Sequence, residues 1–428
     1  MSTIPIDRGL ETLPRLTQVA AALRKTTEIL AHDLAVPASE PPVWTEFEWR
    51  IARAVVAMHG VSSLLHSGLR WQGPEGWRRF LLEQRDQTVA RHLLIRRLLE
   101  AIDLEARRRG IALVALKGAA LHANGIYAAG ERPMGDIDLL VRNDEAKAIA
   151  RLLEVFDFAA SFTTRRHQVY EPRARKISTG ARLGEHVDNP VKIEVHVRID
   201  EHLPTTAVDI TQFLLSRNAH AGLNAYPSVA SLMMHLLLHA AGNMRARALR
   251  LIQLHDIALL AARFGPADWE ELLTARPSGC SVWWAFAPLM LVARYYPERI
   301  PPVVFARLGM ECPWLLAKRA AHQRLTDVSW SNIRIEAFPG VEWSRTLREA
   351  ADFMTGRIWP SREARLELKD GAAQIPDAST IPWYGISHRA RILRWVFSTP
   401  PRVQTLLSVR MALTPESCTT AAFGKREY

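Results

Sequence analysis

Gly135-Asp136-Ile137-Asp138-Leu139-Leu140-Val141 sets two carboxylates two residues apart at the head of a short apolar run. On a strand that spacing puts both on one face. Two carboxylates on one face repel each other and are costly to desolvate unless a cation lies between them. Magnesium suits the task, being a hard cation that takes oxygen ligands and is usually held by one or two carboxylates plus substrate phosphates. A surface strand whose aspartates simply face water has the same spacing, so the surrounding sequence decides between the two.

Upstream, Ile111-Ala112-Leu113-Val114-Ala115-Leu116 reads as a buried strand that runs into Lys117-Gly118 and the helix-like Ala119-Ala120-Leu121-His122-Ala123-Asn124. A strand, a glycine and a helix start can receive a phosphate: the backbone N–H groups approach the anion, the helix dipole favours it, and Lys117 adds a full charge. An ordinary strand-to-helix turn has the same sequence. Downstream, Val191 to Ile199 alternates without a fault, giving Val191, Ile193, Val195, Val197 and Ile199 one buried face and Lys192, Glu194, His196 and Arg198 the other. Glu194 is thus a third carboxylate for the same cluster, or part of a solvated polar face.

Leu116-Lys117-Gly118, then Arg132-Pro133-Met134 leading into Gly135-Asp136-Ile137-Asp138-Leu139-Leu140-Val141, then Ile193-Glu194-Val195-His196 together resemble the "uncharacterised nucleotidyltransferase" family of the polymerase-β-type nucleotidyltransferase superfamily. The resemblance covers about residues 50–265 and is specific in combination. It implies an α+β fold: a polymerase-β-like core, a small mixed sheet with helices, flanked by N-terminal and C-terminal helical regions. It also implies a pair of Mg²⁺ (or Mn²⁺) ions held by Asp136, Asp138 and Glu194 as metal ligands and catalytic residues. Lys117, Gly118 and Arg132 would bind the nucleotide. Most of the superfamily carries Gly-Gly or Gly-Ser closer to the first Asp, whereas here Ala119 follows Gly118 and a longer helix intervenes, as in this branch.

The implied activity moves an NMP from an NTP to an acceptor hydroxyl and releases pyrophosphate. Two alternatives stand beside it: an HD-like metal phosphohydrolase centred on His255-Asp256, and a catalytically inactive nucleotide-binding protein. The acceptor can be a peptide, a sugar, a protein or a nucleic acid. Arg132 can reach triphosphate oxygens bidentately or salt-bridge a carboxylate. His196 can hydrogen-bond a metal ligand or face water. His239 and Asp256 fall where the family's accessory helical domain shows a similar His and Asp. His167, in Thr164-Arg165-Arg166-His167-Gln168, resembles a histidine near the family's acceptor side, or is part of an exposed basic loop.

The 428 residues suffice for several units, taken as a helical region 1–105, an α/β core 106–225, an accessory helical domain 226–300 and a mostly helical region 301–428. At 48% hydrophobic and 23% charged the chain is of globular composition, and its net charge of +11 suits phosphate-bearing substrates and nucleic acid alike. Cys280, Cys312 and Cys418 are few and lack C-x-x-C spacing, which fits a reduced cytoplasm. Met1 to Arg24 contains Asp7 and Glu11 and lacks the apolar run of a secretory signal. The apolar stretch Trp283 to Ala293 is interrupted by Pro288 and too short to span a bilayer.

Helical spacing is expected over 46–70, over 76–110 with Leu93, Leu94, Ile95, Leu98, Leu99 and Ile102 as its apolar positions, and over Glu145 to Phe156, with Val36 to Pro42 as a linker. Residues 228–264 are helical and rich in His235, His239, Arg245, Arg247, Arg250, His255 and Asp256. Those histidines read as core, as metal ligands or as groups facing the acceptor. Met233, Met234 and Leu236 to Leu238 read as packing. Beyond residue 300, Trp314, Trp330, Trp343, Trp359, Trp383 and Trp395 lie among Arg and Pro; they can stack nucleobases or fill an irregular helical core, the reading preferred here.

Overall fold

The structure, a computed structural model, describes residues 13–163, 167–174, 182–362 and 387–414. Asp7, Glu11, Thr164 to Arg166, Trp383 and Cys418 lie outside the described residues. The fold is α+β, a six-stranded mixed sheet among seventeen described α-helices.

The first helices are α1 (Leu16–Ala35), α2 (Glu46–His59), α3 (Ser62–Gly68) and α4 (Glu75–Arg109). A capping box starts α2: the Thr45 hydroxyl accepts from the Glu48 N–H while the Glu48 carboxylate accepts from the Thr45 N–H. Gly60 and Gly110 end α2 and α4 with φ of 68° and 71°, a left-handed cap that glycine adopts without strain. Along α4 the fully buried positions include Ile95 and Ile102, but Leu93 and Leu94 are exposed. The expected apolar stripe is therefore corrected to the phase of Gln84, Thr88, Arg91, Ile95 and Ile102, three of which are polar.

The sheet comprises β1 (Ala112–Ala115), β2 (Asp136–Val141), β3 (Phe158–Thr163), β4 (His167–Pro172), β5 (Lys192–His196) and β8 (Gly222–Asn224), in the order β3-β4-β5-β2-β1-β8. Helix α5 (Lys117–Ala123) follows β1 and α6 (Ala146–Val155) follows β2. A hairpin, β6 (Asp200–His202) and β7 (Ala207–Asp209), and the single turn α7 (Thr211–Leu214) separate β5 from β8.

Each strand's alternation divides the sheet between two cores. Ile137, Leu139, Val141, Ile193 and Val195 pack with Ile95 and Ile102 of α4 and Ile149, Leu152 and Leu153 of α6. The opposite face meets the helical body, whose apolar cluster includes Val114, Leu140 and Met233. The strand expected over 191–199 ends at His196, and Ile199 belongs to the helical cluster instead of continuing the sheet face. The physical cause is the chain's departure at Val197 toward the β6–β7 hairpin.

Residues 228–264 form two helices, α8 (Val229–Arg245) and α9 (Leu251–Ala261), broken where Arg247 takes a φ of 56°. After them come α10 (Pro266–Thr274), α11 (Phe286–Tyr295), α12 (Pro302–Gly309), α13 (Trp314–Ala320), α14 (Leu325–Val328), α15 (Leu347–Ile358), α16 (His388–Phe397) and α17 (Val403–Leu413). The apolar stretch 283–293 lies inside this body. Among the described residues no helix is long and apolar enough to cross a membrane. Trp343 is buried, but Trp314 and Trp359 are exposed beneath Lys318 and Arg389, which corrects the reading of the tail tryptophans as one helical core.

Candidate active site

Parallel pairing of β2 with β5 puts Asp136 opposite Lys192 and Asp138 opposite Glu194. Asp138 and Glu194 are thus neighbours across the ladder, on the face turned away from the sheet's own core. Asp138 is buried, Glu194 half-buried, and Asp136 stands at the exposed start of its strand. These residues line a cleft of about 380 Å³ together with Lys117, Gly118, Arg132, Glu185, His239, Asn243, Arg250, Gln253 and Trp330. Its walls come from α5, from the segment before β2, from α8 and the start of α9, and from the chain after α14.

Lys117 begins α5 in the left-handed region, φ 47°, a conformation that costs a non-glycine residue free energy and is most common at functional sites. Its Nζ donates to Asp138 Oδ1 at 2.7 Å. His196, buried on β5, donates from Nε2 to the same oxygen at 3.1 Å and lies 3.7 Å from Glu194 Oε2. Burial alone would raise the Asp138 carboxyl, but Lys117 and His196 hold it well below the usual range. Burial likewise opposes charge on Lys117, and Asp138, Asp136 and Glu194 more than offset it, raising the ammonium above its ordinary value.

Asp136 is open to the cleft yet crowded by protein on its other sides. That crowding first, and the charge of Asp138 second, push its carboxyl up to about 6 against the pull of Lys117. A dication beside it would reverse that shift. Oxygen donors of this number and charge fit Mg²⁺. Among the described residues, the ligand-type atoms that gather within 4.8 Å of one another are those of His167, Glu194 and His196. Asp136 and Asp138 are not part of that grouping, and Asp138 is tied to both Lys117 and His196.

Arg132 makes a bidentate pair with Asp256, Nε to Oδ1 and Nη2 to Oδ2, both 2.8 Å, and Tyr127 donates to the same carboxylate at 2.7 Å. Of the two roles open to Arg132, the carboxylate pair is formed, while its guanidinium still lines the cleft. Gly118 lies directly beneath it, and a Cβ there would collide with that guanidinium. His239 Nε2 accepts from Asn243 at 3.2 Å, and burial followed by Lys117 keeps its imidazole neutral, well below the ordinary value.

The HD-like constellation is not assembled as a ligand set among the described residues. His255 Nδ1 bonds the Tyr296 hydroxyl at 2.9 Å and Asp256 is taken by Arg132 and Tyr127. His235 pairs with the Tyr226 hydroxyl at 2.8 Å, inside the core with Met233, Met234 and Leu236 to Leu238.

Two arginines escaped the sequence reading. Arg250, noticed only as one of a basic group, contributes to the cleft wall and donates to the Met58 carbonyl at 2.9 Å. Arg91, buried on α4, donates to the carbonyls of Met134 at 2.8 Å, Gly135 at 2.6 Å and Asn189 at 2.6 Å, which precede β2 and β5. A charged residue on the buried stripe of a helix is the signal that marks it.

The cleft gathers the carboxylates of Asp136, Asp138, Glu185 and Glu194 and the cations of Lys117, Arg132 and Arg250. A comparison with protein families places more than half of the chain, residues 45–296, under a family described as "Uncharacterised nucleotidyltransferase", and the chain belongs to that family. No curated protein and no solved structure matches. Membership makes the protein a nucleotidyltransferase by family, and every expected site residue lies within the matched span.

Proposed function

We propose that this protein transfers a nucleoside monophosphate from an NTP to an acceptor hydroxyl, releasing pyrophosphate, with Mg²⁺ held by Asp136, Asp138 and Glu194. The observation that carries this reading is the pairing of Asp138 with Glu194 across β2 and β5, beside Asp136, in a cleft whose other wall is cationic. The core is read as polymerase-β-like on the same ground. When bound, Mg²⁺ supplies Lewis acidity and neutralises phosphate charge.

The chain's own residues prepare the site. Lys117, Arg132 and Arg250 are the cations in the cleft that a triphosphate would meet, set among the carboxylates of Asp136, Asp138, Glu185 and Glu194. Asp256 and Tyr127 fix the Arg132 guanidinium in one orientation, and Gly118 leaves room for it. His196 holds Asp138 and Glu194 in place through Nε2. In the transfer, the acceptor oxygen bonds to the α-phosphorus, the bond from that phosphorus to the bridging oxygen breaks, and the acceptor's proton passes to solvent.

Asp136→Asn and Asp138→Asn each remove one charge from a site built to balance cations. Both are expected to abolish transfer of label from α-³²P NTPs, and of pyrophosphate release, across a panel of peptide, sugar, protein and nucleic-acid acceptors, with circular dichroism unchanged. Wild-type turnover in either variant would overturn the assignment.

A further inference from the structure

The acidic face of the sheet does not end at Glu194. His167 and His196 are directly opposed in the antiparallel pair of β4 and β5, with ring centroids 4.9 Å apart. Glu194, two residues from His196, projects from the same face. Its Oε2 lies 3.7 Å from Nε2 of each histidine, and the three ligand atoms all fall within 4.8 Å of one another. Ligands about 2.0–2.1 Å from a tetrahedral ion stand roughly 3.4 Å apart, so shifts of less than about an ångström per side chain close the set.

We infer that His167, Glu194 and His196 form a binding site for one first-row transition dication, of the class of Zn²⁺ or Fe²⁺. The donor chemistry sets it apart from the Mg²⁺ reading: imidazole suits those ions, whereas Mg²⁺ takes oxygen donors. Two neutral imidazoles and one carboxylate leave the bound ion with net positive charge and at least one coordination position for water or another oxygen. Binding displaces the proton that His196 Nε2 now shares with Asp138, whose remaining partner is Lys117. The site shares Glu194 with the proposed transfer reaction but does not depend on it, since a chain that transfers nothing can still hold the ion.

The test is calorimetry of chelator-stripped protein with Zn²⁺ and, separately, Mg²⁺, without nucleotide, on the wild type, His167→Ala and Asp136→Asn. One Zn²⁺ per chain is expected, bound about ten- to hundredfold or more weakly by His167→Ala, since changes outside the ligand set already cost that much. Asp136→Asn is expected to bind as the wild type does, and millimolar Mg²⁺ not to displace the Zn²⁺. Visible absorption of the Co²⁺-loaded wild type provides a readout that needs no variant: intense d–d bands of a four- or five-coordinate ion are expected. Equal Zn²⁺ affinity in wild type and His167→Ala, or the weak spectrum of a six-coordinate aquo ion, overturns the site. Zn²⁺ bound as described by a chain inert toward every NTP supports the site and removes the transfer reading.

Discussion

Lys117 combines an uncommon backbone conformation with a full charge against Asp138 Oδ1. Such strain persists only where the surroundings over-determine it, and here the Tyr226 hydroxyl lies 3.4 Å from the Lys117 N–H as an acceptor. Lys117→Ala is expected to weaken binding of a non-hydrolysable NTP analogue by roughly ten- to hundredfold, the worth of one charge-assisted contact of about 1.5–3 kcal/mol. Calorimetry decides; equal affinities would reduce Lys117 to an internal counter-ion for Asp138. At this scale the sequence was informative wherever chemistry is local. Asp136 and Asp138 are two residues apart, and their shared cleft follows from strand geometry alone. Arg132 shows the limit: its two roles differ only by the location of Asp256, far away in the sequence, and no local pattern reports that distance.

Strand β5 reveals itself by alternation and α6 by period, because each must bury one face, whereas β2 shows as a short apolar run because both of its faces are covered. Register is another matter. The opposition of His167 to His196 is set by how β4 returns against β5, which depends on the whole connection between them and on neither strand's composition. The same holds for the end of β5 at His196: Ile199 keeps the alternation although the chain has left the sheet, since an apolar residue is equally content in the helical core, while Val197 still packs on the sheet's own core. Arg91 links these elements. It fastens α4 to the carbonyls ahead of both acidic strands, and its removal leaves the buried Met134 carbonyl unpaired at about 1–3 kcal/mol, whereas the Gly135 and Asn189 carbonyls, whose bonds to Arg91 are only part-buried, can turn to water. Arg91→Ala is therefore expected to lower unfolding stability by about 1–3 kcal/mol, with Arg91→Lys intermediate, as read from urea transitions. A loss below about 1 kcal/mol in Arg91→Ala would show the clamp to be dispensable.

Across the whole molecule, distant segments meet through a few buried polar groups. His59 of α2 accepts the Leu251 N–H on Nδ1 and pairs through Nε2 with the Ser331 hydroxyl, both 2.9 Å, and Ser331 bonds Thr27 of α1 at 2.7 Å. Nδ1 is thereby an acceptor, so the ring must be neutral; burial, then Arg250, pushes its pKa down to about 3. In the unfolded chain a histidine titrates near 6.5, so below that pH the unfolded state binds the extra proton and folding stability falls with pH until the folded ring also protonates. From pH 7 to pH 5 the loss through this one ring is roughly 2 kcal/mol. His59→Gln, which keeps a donor and an acceptor without a titrating proton, is expected to be less stable than wild type at pH 7 but to lose about that much less on acidification, measured by urea unfolding at both values. Parallel losses would exonerate His59. None of this was legible in the sequence, where residues 27, 59, 251 and 331 share no pattern. A second tie of the same kind has its own consequence. Glu28 of α1 accepts from the Tyr295 hydroxyl and from the backbone and hydroxyl of Thr326. Thr27 and Glu28 precede the family-matched span and Thr326 and Ser331 follow it, so the two extensions are laced to each other across the shared core. They make one strap and not two appendages, and in descent they should travel together: kin that lack the leading helix should lack the stretch around Thr326 as well, and a lineage keeping one without the other would show that the lacing is dispensable.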